Sequence, residues 1–280
     1  ITIWLFTINY FERVVPYKAI KSCRWDSWEL WPNGIVPHRV AVIADPQIVD
    51  DNTYLNQTAI LNHYIRRISD NYLKRNHKYM NSILDPDTTV FLGDLFDGGR
   101  EWDDDKWFDE YKRFVNLYPQ LQNRRTFMNL PGNHDIGFQT VDKKVVKRFE
   151  AFFGKANQAI ELGNHTLVIV DTISLSHPDP EISAEAKDFV ANLNDMLEFP
   201  ENPRILFTHV PLYRFTDQQS CGPLREKKGR FPVMKGYQYQ TVIEHEISQQ
   251  LLTAIDPDLV LSGDDHDYCD VKHNYKKNGR

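Results

Sequence analysis

The 280-residue sequence has only three cysteines, and Cys23, Cys221 and Cys269 form no C-x-x-C pair, which excludes a zinc ribbon or a thioredoxin-type site. It contains no internal repeat and no low-complexity tract, which excludes a repeat architecture. A mean hydropathy of −0.53 excludes a polytopic membrane protein. The sequence also lacks a basic patch, and its net charge is −6, which argues against nucleic acid as a partner.

The composition that is present is that of an ordinary globular protein. Hydrophobic residues make up 41% of the chain and charged residues 26%. A chain of this length can bury a sizeable core within one large domain. No linker divides the sequence into two parts, so we expect a single domain behind a short N-terminal segment.

The N-terminal segment opens with an apolar run over residues 1–8, and charged residues begin at Glu12. The run is shorter than the roughly 20 apolar residues that a membrane span needs. Two interpretations stay open. The run is either a buried strand or N-terminal helix, or the last turns of a transmembrane helix with Trp4 and Tyr10 near the interface. We treat residues 1–37 as a membrane-proximal segment.

The cysteines and glycosylation sequons leave the cellular compartment open. The cysteines are either three unrelated thiols, or one disulfide and one free cysteine in an oxidising lumen. Sequons for N-glycosylation begin at Asn56 and Asn164. They permit a lumenal location without establishing it.

Short apolar runs alternate with helical patterns along the rest of the chain. The runs predicted as strands are 40–44, 89–92, 126–130, 158–162, 166–171, 204–208 and 259–262. The predicted helices are 57–83, 103–118, 141–153, 185–197 and 239–255, the first with an apolar face of Leu61, Ile65, Ile68 and Tyr72. We expect Ser183 to cap the fourth helix and Gly163-Asn164 to form a hairpin turn. This order predicts an α/β fold.

Five of the predicted strands end in side chains that can bind metals. The sequences at these ends are Asp45-Pro46-Gln47, Gly93-Asp94-Leu95-Phe96-Asp97, Gly132-Asn133-His134-Asp135, Thr208-His209 and Gly263-Asp264-Asp265-His266. Ligands of α/β sheets bind beyond the carboxyl ends of strands, and these side chains suit Mn, Fe or Zn. Any one of these sequences alone is typical of a turn. All five in order predict a metal site, and a shared carboxylate would hold two ions about 3.5–4 Å apart.

The ordered motifs resemble the calcineurin-like metallophosphoesterase superfamily over residues 38–270. The sequences Gly93-Asp94-Leu95-Phe96-Asp97 and His209-Val210-Pro211-Leu212-Tyr213 are similar to those of the ethanolamine-phosphate phosphodiesterases that remodel GPI anchors. The resemblance implies an α/β four-layer sandwich of two mixed β-sheets flanked by helices. It implies a catalytic domain over residues 38–275 and an enzyme anchored in the endoplasmic reticulum or Golgi membrane, with this domain in the lumen.

The same resemblance implies two ligand groups for two divalent ions. The first is Asp45, Gln47, Asp94 and His266, and the second is Asp94, Asn133, His209 and Asp264. Asp94 would bridge the two ions. Gln47 replaces the usual histidine of the first motif, and Asp264 replaces the first histidine of the last motif. Oxygen ligands in place of nitrogen favour Mn²⁺ over Zn²⁺, and Zn²⁺ and iron remain as alternatives.

The resemblance further implies that His134 is the general acid at the leaving oxygen and that Asp97 orients it. Asp135 is expected to be structural. Arg214 and Tyr213 follow His209 closely, and they either contact the substrate or lie on the surface of a loop.

The function implied is removal of ethanolamine phosphate from a mannose of a GPI-anchor glycolipid or GPI-anchored protein. Two alternatives remain: a phosphomonoesterase of the same superfamily, and a non-catalytic scaffold that keeps the fold. A scaffold would be expected to lose ligands, whereas each ligand position here holds a side chain able to bind a metal.

Overall fold

The computed structural model describes residues 2–25, 30–54, 56–215, 219–226, 231 and 233–275. The helices are α1 (Thr2–Asn9), α2 (Val15–Ser22), α3 (Ala59–Leu84), α4 (Asp104–Leu117), α5 (Asn133–Ile136), α6 (Lys143–Phe153), α7 (Thr172–Leu175), α8 (Pro180–Met196) and α9 (His245–Ile255). The strands are β1 (Val40–Ile43), β2 (Thr88–Phe91), β3 (Arg125–Phe127), β4 (Gln158–Leu162), β5 (His165–Ile169), β6 (Arg204–Thr208), β7 (Lys235–Gly236), β8 (Tyr239–Gln240) and β9 (Leu259–Ser262). A π-helical turn (Tyr10–Val14) joins α1 to α2.

Two sheets carry the fold. One has the order β1-β2-β3 with parallel pairing, and the other has the order β4-β5-β6-β9, in which β4 runs antiparallel to its neighbour. A two-stranded ribbon of β7 and β8 lies apart from both. The alternation of strands and helices therefore gives the predicted α/β fold.

The period of two along each strand builds the core between the sheets. Side chains of the two sheets and of the segments directly after β2 and β3 form one buried cluster, namely Val90, Leu92, Leu130, Leu167, Ile169 and Phe207. Their neighbours Phe91, Val168 and Leu206 belong to a second cluster, shared with residues of α4, α6, α8 and α9. Successive side chains of a strand point to opposite faces, so each sheet packs on its partner with one face and on helices with the other.

The β4–β5 hairpin is confirmed at the predicted turn. Leu162 pairs with His165, which leaves Gly163 and Asn164 as a two-residue loop. Both have a φ of 60°, the left-handed conformation that a type I′ turn needs at both central positions.

Two predicted helix starts are wrong. Helix α8 begins at Pro180 rather than after Ser183, because the Asp179 side chain caps it by accepting from the Glu181 N–H at 2.9 Å. Proline suits the first helical turn, since its missing N–H has no partner there. Helix α9 begins at His245 rather than at residue 239, because residues 239–240 pair with β7.

Helix α3 forms, but its predicted apolar face does not point into the core. Leu61, Ile68 and Tyr72 remain 44%, 57% and 43% exposed. The helix instead contacts α2 and α4, and its buried side chain is His77. Periodicity thus located the helix but not the partner of its apolar face.

The N-terminal run is helical rather than a buried strand. None of the eight residues of α1, all of them described, is buried, and Trp4 is 71% exposed. Within the part of the chain that the structure describes, no helix combines the length and the apolar character that a membrane crossing requires.

Helix α4 carries a buried carboxylate that several cations surround. Glu110, whose side chain is 3% exposed, lies 2.7 Å from Arg66, 2.8 Å from Lys106 and 2.5 Å from Arg113. Burial by itself would raise the pKa of Glu110, but hydrogen bonds from Lys106 and Arg113 outweigh it and lower the pKa. This network ties α4 to α3, which contributes Arg66.

We expect Glu110→Gln to lower the free energy of unfolding by about 2–3 kcal/mol at pH 7, because it removes the buried negative charge that faces Arg66, Lys106 and Arg113. A lowered pKa in the folded state means that this stability is fully present above the ordinary value of 4.5 and is lost as the pH falls through the folded-state pKa. Urea unfolding at pH 7, 5, 4 and 3 measures it, with the exposed Glu198→Gln as control. A difference that stays equal from pH 7 to pH 3 would contradict this account.

Candidate metal centre

The polar residues that follow five strands meet at one edge of the two sheets. Asp45 follows β1, Asp94 follows β2, and His209 follows β6. One ligand atom from each of these three lies within 4.8 Å of the other two. Asn133 and Asp264, which follow β3 and β9, approach the same histidine. The convergence predicted from the sequence is therefore present.

The backbone at these strand ends adopts an uncommon conformation. Asp45, Gln47, Asp94, Asp264 and His266 all have φ between 34° and 66°. Such left-handed residues other than glycine are rare and store strain, which the surrounding structure must offset. At these residues the backbone turns sharply after each strand, and their side chains point towards a common site.

His209 is held in an orientation that directs Nε2 towards the other predicted ligands. Its side chain is 1% exposed, and Nδ1 lies 2.7 Å from the carbonyl oxygen of Leu92. A carbonyl can only accept, so Nδ1 carries a hydrogen, and Nε2 is the nitrogen left to bind a metal. Sequence patterns give no signal for this partner, because the contact is made by a backbone atom 117 residues away.

Acceptor atoms crowd around His209 Nε2. It lies 3.1 Å from Asn133 Oδ1, 3.3 Å from Asp94 Oδ1 and 3.7 Å from Asp264 Oδ1. Burial alone would lower the pKa of His209, but the carboxylates of Asp94, Asp45 and Asp264 raise it well above 6.5. A positive charge is therefore favoured at this point. A divalent cation supplies that charge, and the donor set of carboxylate, amide oxygen and imidazole fits it.

Asp94 lies at the centre of the arrangement and is 1% exposed. Its Oδ1 faces His209 and also accepts from the His134 backbone N–H at 2.9 Å, while its Oδ2 accepts from the Gln47 amide at 3.3 Å. Burial would raise the pKa of Asp94, but His209 and His134 outweigh burial and lower it, so the carboxylate is ionised. The two oxygens thus face the two predicted ligand groups, as a bridging role requires.

The first predicted ligand group is more open than the second. His266 Nε2 lies 3.6 Å from Asp45 Oδ1, and the His266 side chain is 51% exposed. Both Asp45 oxygens accept from the Asp264 backbone N–H at 3.0 Å. Gln47 faces Asp94 with its amide NH₂ group rather than with its oxygen. Burial, together with the nearby charges of Asp94 and Asp45, raises the pKa of Asp264 to about 6.

Two motif glycines are required by close packing around Asp94. A Cβ on Gly132 would collide with the Asp94 carboxylate and backbone. A Cβ on Gly93 would lie 2.7 Å from His209 Nδ1, and Gly93 also has a φ of +88°. Glycine is the residue that permits both contacts.

His134 lies beside this cluster and is held by Asp97. Its Nδ1 is 2.6 Å from the Asp97 carbonyl oxygen and 3.3 Å from the Asp97 carboxylate. Burial alone would lower the pKa of His134, but Asp97 and Asp94 raise it to about 9. With Nδ1 committed to Asp97, Nε2 is the nitrogen left to face a ligand.

Asp135 joins two motif loops rather than facing the site. It is fully buried, and its oxygens accept backbone N–H groups of Leu95 (3.1 Å), Phe96 (3.0 Å) and Gly132 (2.8 Å). Burial and the charge of Asp94 raise the pKa of Asp135 to about 7. These contacts fit the structural role expected for it.

A cavity of about 580 Å³ adjoins the metal-ligand cluster. Its lining includes Asp45, His266 and Arg214. Arg214 is 4% exposed and stacks on the Phe231 ring, with its guanidinium carbon 3.8 Å from the ring centre. Tyr213, by contrast, packs against Phe215 and His245 and lines a separate pocket. The structure therefore brings Arg214, rather than both predicted residues, to the wall of this cavity.

A disulfide fixes one wall of this cavity. Cys221 and Cys269 are bonded, which ties the segment after Arg214 to the loop that carries His266. Arg225, for which no sequence motif signals a role, donates hydrogen bonds to both Asp265 carboxylate oxygens at 2.7 and 3.0 Å. Cys23 is an exposed free thiol. Of the alternatives left open for the cysteines, one disulfide with one free cysteine is confirmed.

The β7–β8 ribbon supplies a second contact that sequence patterns did not reveal. The Gln238 carbonyl oxygen accepts from Asn133 Nδ2 at 3.0 Å, which turns Asn133 Oδ1 towards His209. A backbone acceptor carries no residue-type signal, so proximity in the fold is what reveals it.

These features define a metal centre at the ends of strands in an α/β sandwich. A family model described as calcineurin-like phosphoesterase matches residues 38–268. The chain belongs to the calcineurin-like phosphoesterase family, and the matched region is a metal-dependent phosphoester hydrolase domain.

Relatives extend the similarity beyond this domain. The chain is 50% identical to Cell division control protein 1 of Saccharomyces cerevisiae over 280 residues, 99% of this chain and 57% of the yeast protein. It is 26% identical to Metallophosphoesterase 1 of Mus musculus over 98% of this chain and 72% of the mouse protein. The chain thus spans little more than half the length of the yeast relative.

A solved structure of purple acid phosphatase PPD1 from yellow lupin is also similar. It matches with a TM-score of 0.49 and 14% identity, over 83% of this chain and 38% of the lupin chain.

We expect Asp94→Asn to abolish stable binding of divalent metal, because it removes the buried negative charge that faces both ligand groups. Metal analysis after dialysis against Mn²⁺, together with calorimetric titration, measures the effect. Asp109→Asn, at an exposed position on α4, is the matched control. Full metal content in Asp94→Asn, with both variants folded, would show that Asp94 does not have the central role.

Proposed function

We propose that this chain is a divalent-metal phosphodiesterase that removes ethanolamine phosphate from a mannose of GPI anchors. Family membership and 50% identity to the yeast protein support hydrolysis of a phosphoester. The observation that carries the mechanism is the pairing of His134 with Asp97 beside the ligand cluster. The mannose-linked substrate rests on similarity of the motifs, and the cavity beside Asp45 supports it with room for a second substituent on phosphorus.

Two groups of residues, with Asp94 in both, would hold the two metal ions. Asp45, Gln47, Asp94 and His266 would hold one ion, and Asp94, Asn133, His209 and Asp264 would hold the other. When bound, a pair of divalent cations supplies a hydroxide nucleophile near neutral pH and neutralises phosphate oxygens. We take Mn²⁺ as the preferred ion, because most of these ligands are oxygen atoms.

His134 would then donate a proton to the leaving oxygen. Asp97 holds Nδ1, so Nε2 is the atom that reaches the substrate. An alkoxide such as that of a mannose is a poor leaving group unless it is protonated, and a positioned acid of this kind contributes about 10²–10⁴-fold. Arg214, in the wall of the adjoining cavity, is placed to contact the phosphate or the glycan.

The setting proposed is the lumenal face of the endoplasmic reticulum or Golgi membrane. The Cys221–Cys269 disulfide supports an oxidising compartment, where such bonds persist. The exposed apolar side chains of α1, Trp4 and Phe6 among them, support a position next to a bilayer. We propose attachment through transmembrane segments outside these 280 residues, with residues 1–37 as the membrane-proximal part.

Hydrolysis of two types of ester tests the proposal. We expect the purified chain with Mn²⁺ to hydrolyse bis(p-nitrophenyl) phosphate faster than p-nitrophenyl phosphate, and a chelator to stop both. We also expect it to hydrolyse the ethanolamine-phosphate diester of methyl mannoside, and His134→Ala to lower that rate by at least about 100-fold. Absorbance of the released p-nitrophenolate measures the rates on the two nitrophenyl esters. Mass spectrometry of the released ethanolamine phosphate and methyl mannoside measures the rate on the mannoside diester.

His63→Ala, at an exposed histidine of α3, is the matched control and should leave the rates unchanged. A clear preference for the monoester would favour the phosphomonoesterase alternative. An absence of turnover together with an absence of bound metal would favour the non-catalytic scaffold.

A further inference from the structure

The loop after the first motif is folded around a buried carboxylate. Asp50 is 3% exposed, and its Oδ1 accepts backbone N–H groups of Asn52 at 2.6 Å and Thr53 at 2.8 Å. Its Oδ2 accepts from the indole N–H of Trp102 at 3.0 Å. Asp50 thus fixes the turn over residues 50–53 and ties it to the loop that follows the second motif.

Gly98 is required by this contact. A Cβ at Gly98 would lie 2.6 Å from Asp50 Oδ2 and 2.7 Å from Trp102 Nε1. Both distances are shorter than a carbon atom can accept. The glycine directly after Asp97 therefore lets the Asp50–Trp102 hydrogen bond pass close to the second motif.

The hydroxyl of Thr53 has one hydrogen to donate and two carboxylate oxygens within reach. Its oxygen accepts the Asp50 backbone N–H at 2.9 Å. Its single hydrogen is shared between Asp97 Oδ2 at 2.5 Å and Asp50 Oδ1 at 3.1 Å, and the shorter contact to Asp97 is the stronger one. The other Asp97 oxygen, Oδ1, faces His134 Nδ1 at 3.3 Å.

The two carboxylate oxygens of Asp97 therefore have different partners: Oδ2 accepts from the Thr53 hydroxyl, and Oδ1 faces His134 Nδ1. We infer that Thr53 is a positioning residue for the general acid: its hydroxyl holds Asp97 Oδ2, so that Oδ1 and the Asp97 carbonyl keep His134 Nδ1 in place. A contiguous chain of contacts runs from Trp102 through Asp50, Thr53 and Asp97 to His134. Thr53 does not touch the metal-ligand cluster in this chain of contacts, so its effect would be on proton donation. This inference rests on the acid role proposed for His134.

The test compares esters that differ in their need for an acid. We expect Thr53→Val to lower kcat about tenfold on the ethanolamine-phosphate diester of methyl mannoside, with KM unchanged. On bis(p-nitrophenyl) phosphate the rate should change less than twofold, because nitrophenolate leaves without a proton. A defect confined to the alkyl ester is not expected from a general loss of structure or of metal.

Two further variants, Thr53→Ser and Asn52→Ala, serve as controls. Thr53→Ser keeps the hydroxyl and should restore kcat to within about twofold of wild type. Asn52→Ala, at an exposed position in the same turn, is the matched control, and thermal unfolding with metal analysis checks each variant. If Thr53→Val does not fold, Thr53→Ala serves in its place. In the His134→Ala background, a change at Thr53 should add nothing.

The outcomes separate the two proposals. If His134→Ala loses turnover of the alkyl ester but Thr53→Val and Thr53→Ala keep it, the positioning role is wrong and the acid role stands. An equal loss on both esters, or a Thr53→Ser variant as slow as Thr53→Val, also overturns the positioning role. If His134→Ala keeps full turnover, the acid role itself is wrong.

Discussion

The concentration of buried negative charge at the ends of the strands is the constraint on which the site depends. Asp94 is 1% exposed, and Asp45 and Asp264 lie close enough to influence the same histidine. Carboxylates taken out of water are costly unless cations or hydrogen-bond donors face them. Part of that cost is offset by backbone N–H groups, such as that of His134 to Asp94. The remainder is what a divalent cation offsets, and this makes the domain a metal site.

Holding those carboxylates in place shapes the loops around them. The strand ends turn through left-handed residues, and glycines stand where a Cβ would strike Asp94 or His209. Asp135 ties the second and third motif loops through backbone donors. The Leu92 carbonyl and the Gln238 carbonyl orient His209 and Asn133 in turn. Much of the precision of the site thus comes from residues that are not themselves predicted metal ligands, namely Asp135, Leu92 and Gln238.

Sequence patterns predicted the elements better than their surroundings. The hairpin turn at Gly163-Asn164 and the strands before the five motifs were found where expected, because strand periodicity and turn chemistry are local. The exposure of the apolar face of α3 was not predicted, because periodicity shows that a helix has an apolar face but not what covers that face. Tyr213 and Arg214 are adjacent in sequence, yet Arg214 alone of the pair lines the cavity beside Asp45, since neighbouring side chains point in different directions.

The order of residues along the chain sets the chemistry available at each strand end, that is, which carboxylates, amides and imidazoles follow each strand. These residues can be identified in the sequence because a strand followed by a turn is a local pattern. Only packing in three dimensions sets which atoms face one another: the Leu92 carbonyl and His209, the Thr53 hydroxyl and Asp97, and Cys221 and Cys269. Those pairings join segments 44 to 117 residues apart. Their partners include backbone atoms and ordinary loop residues, which become specific only through packing of the two sheets.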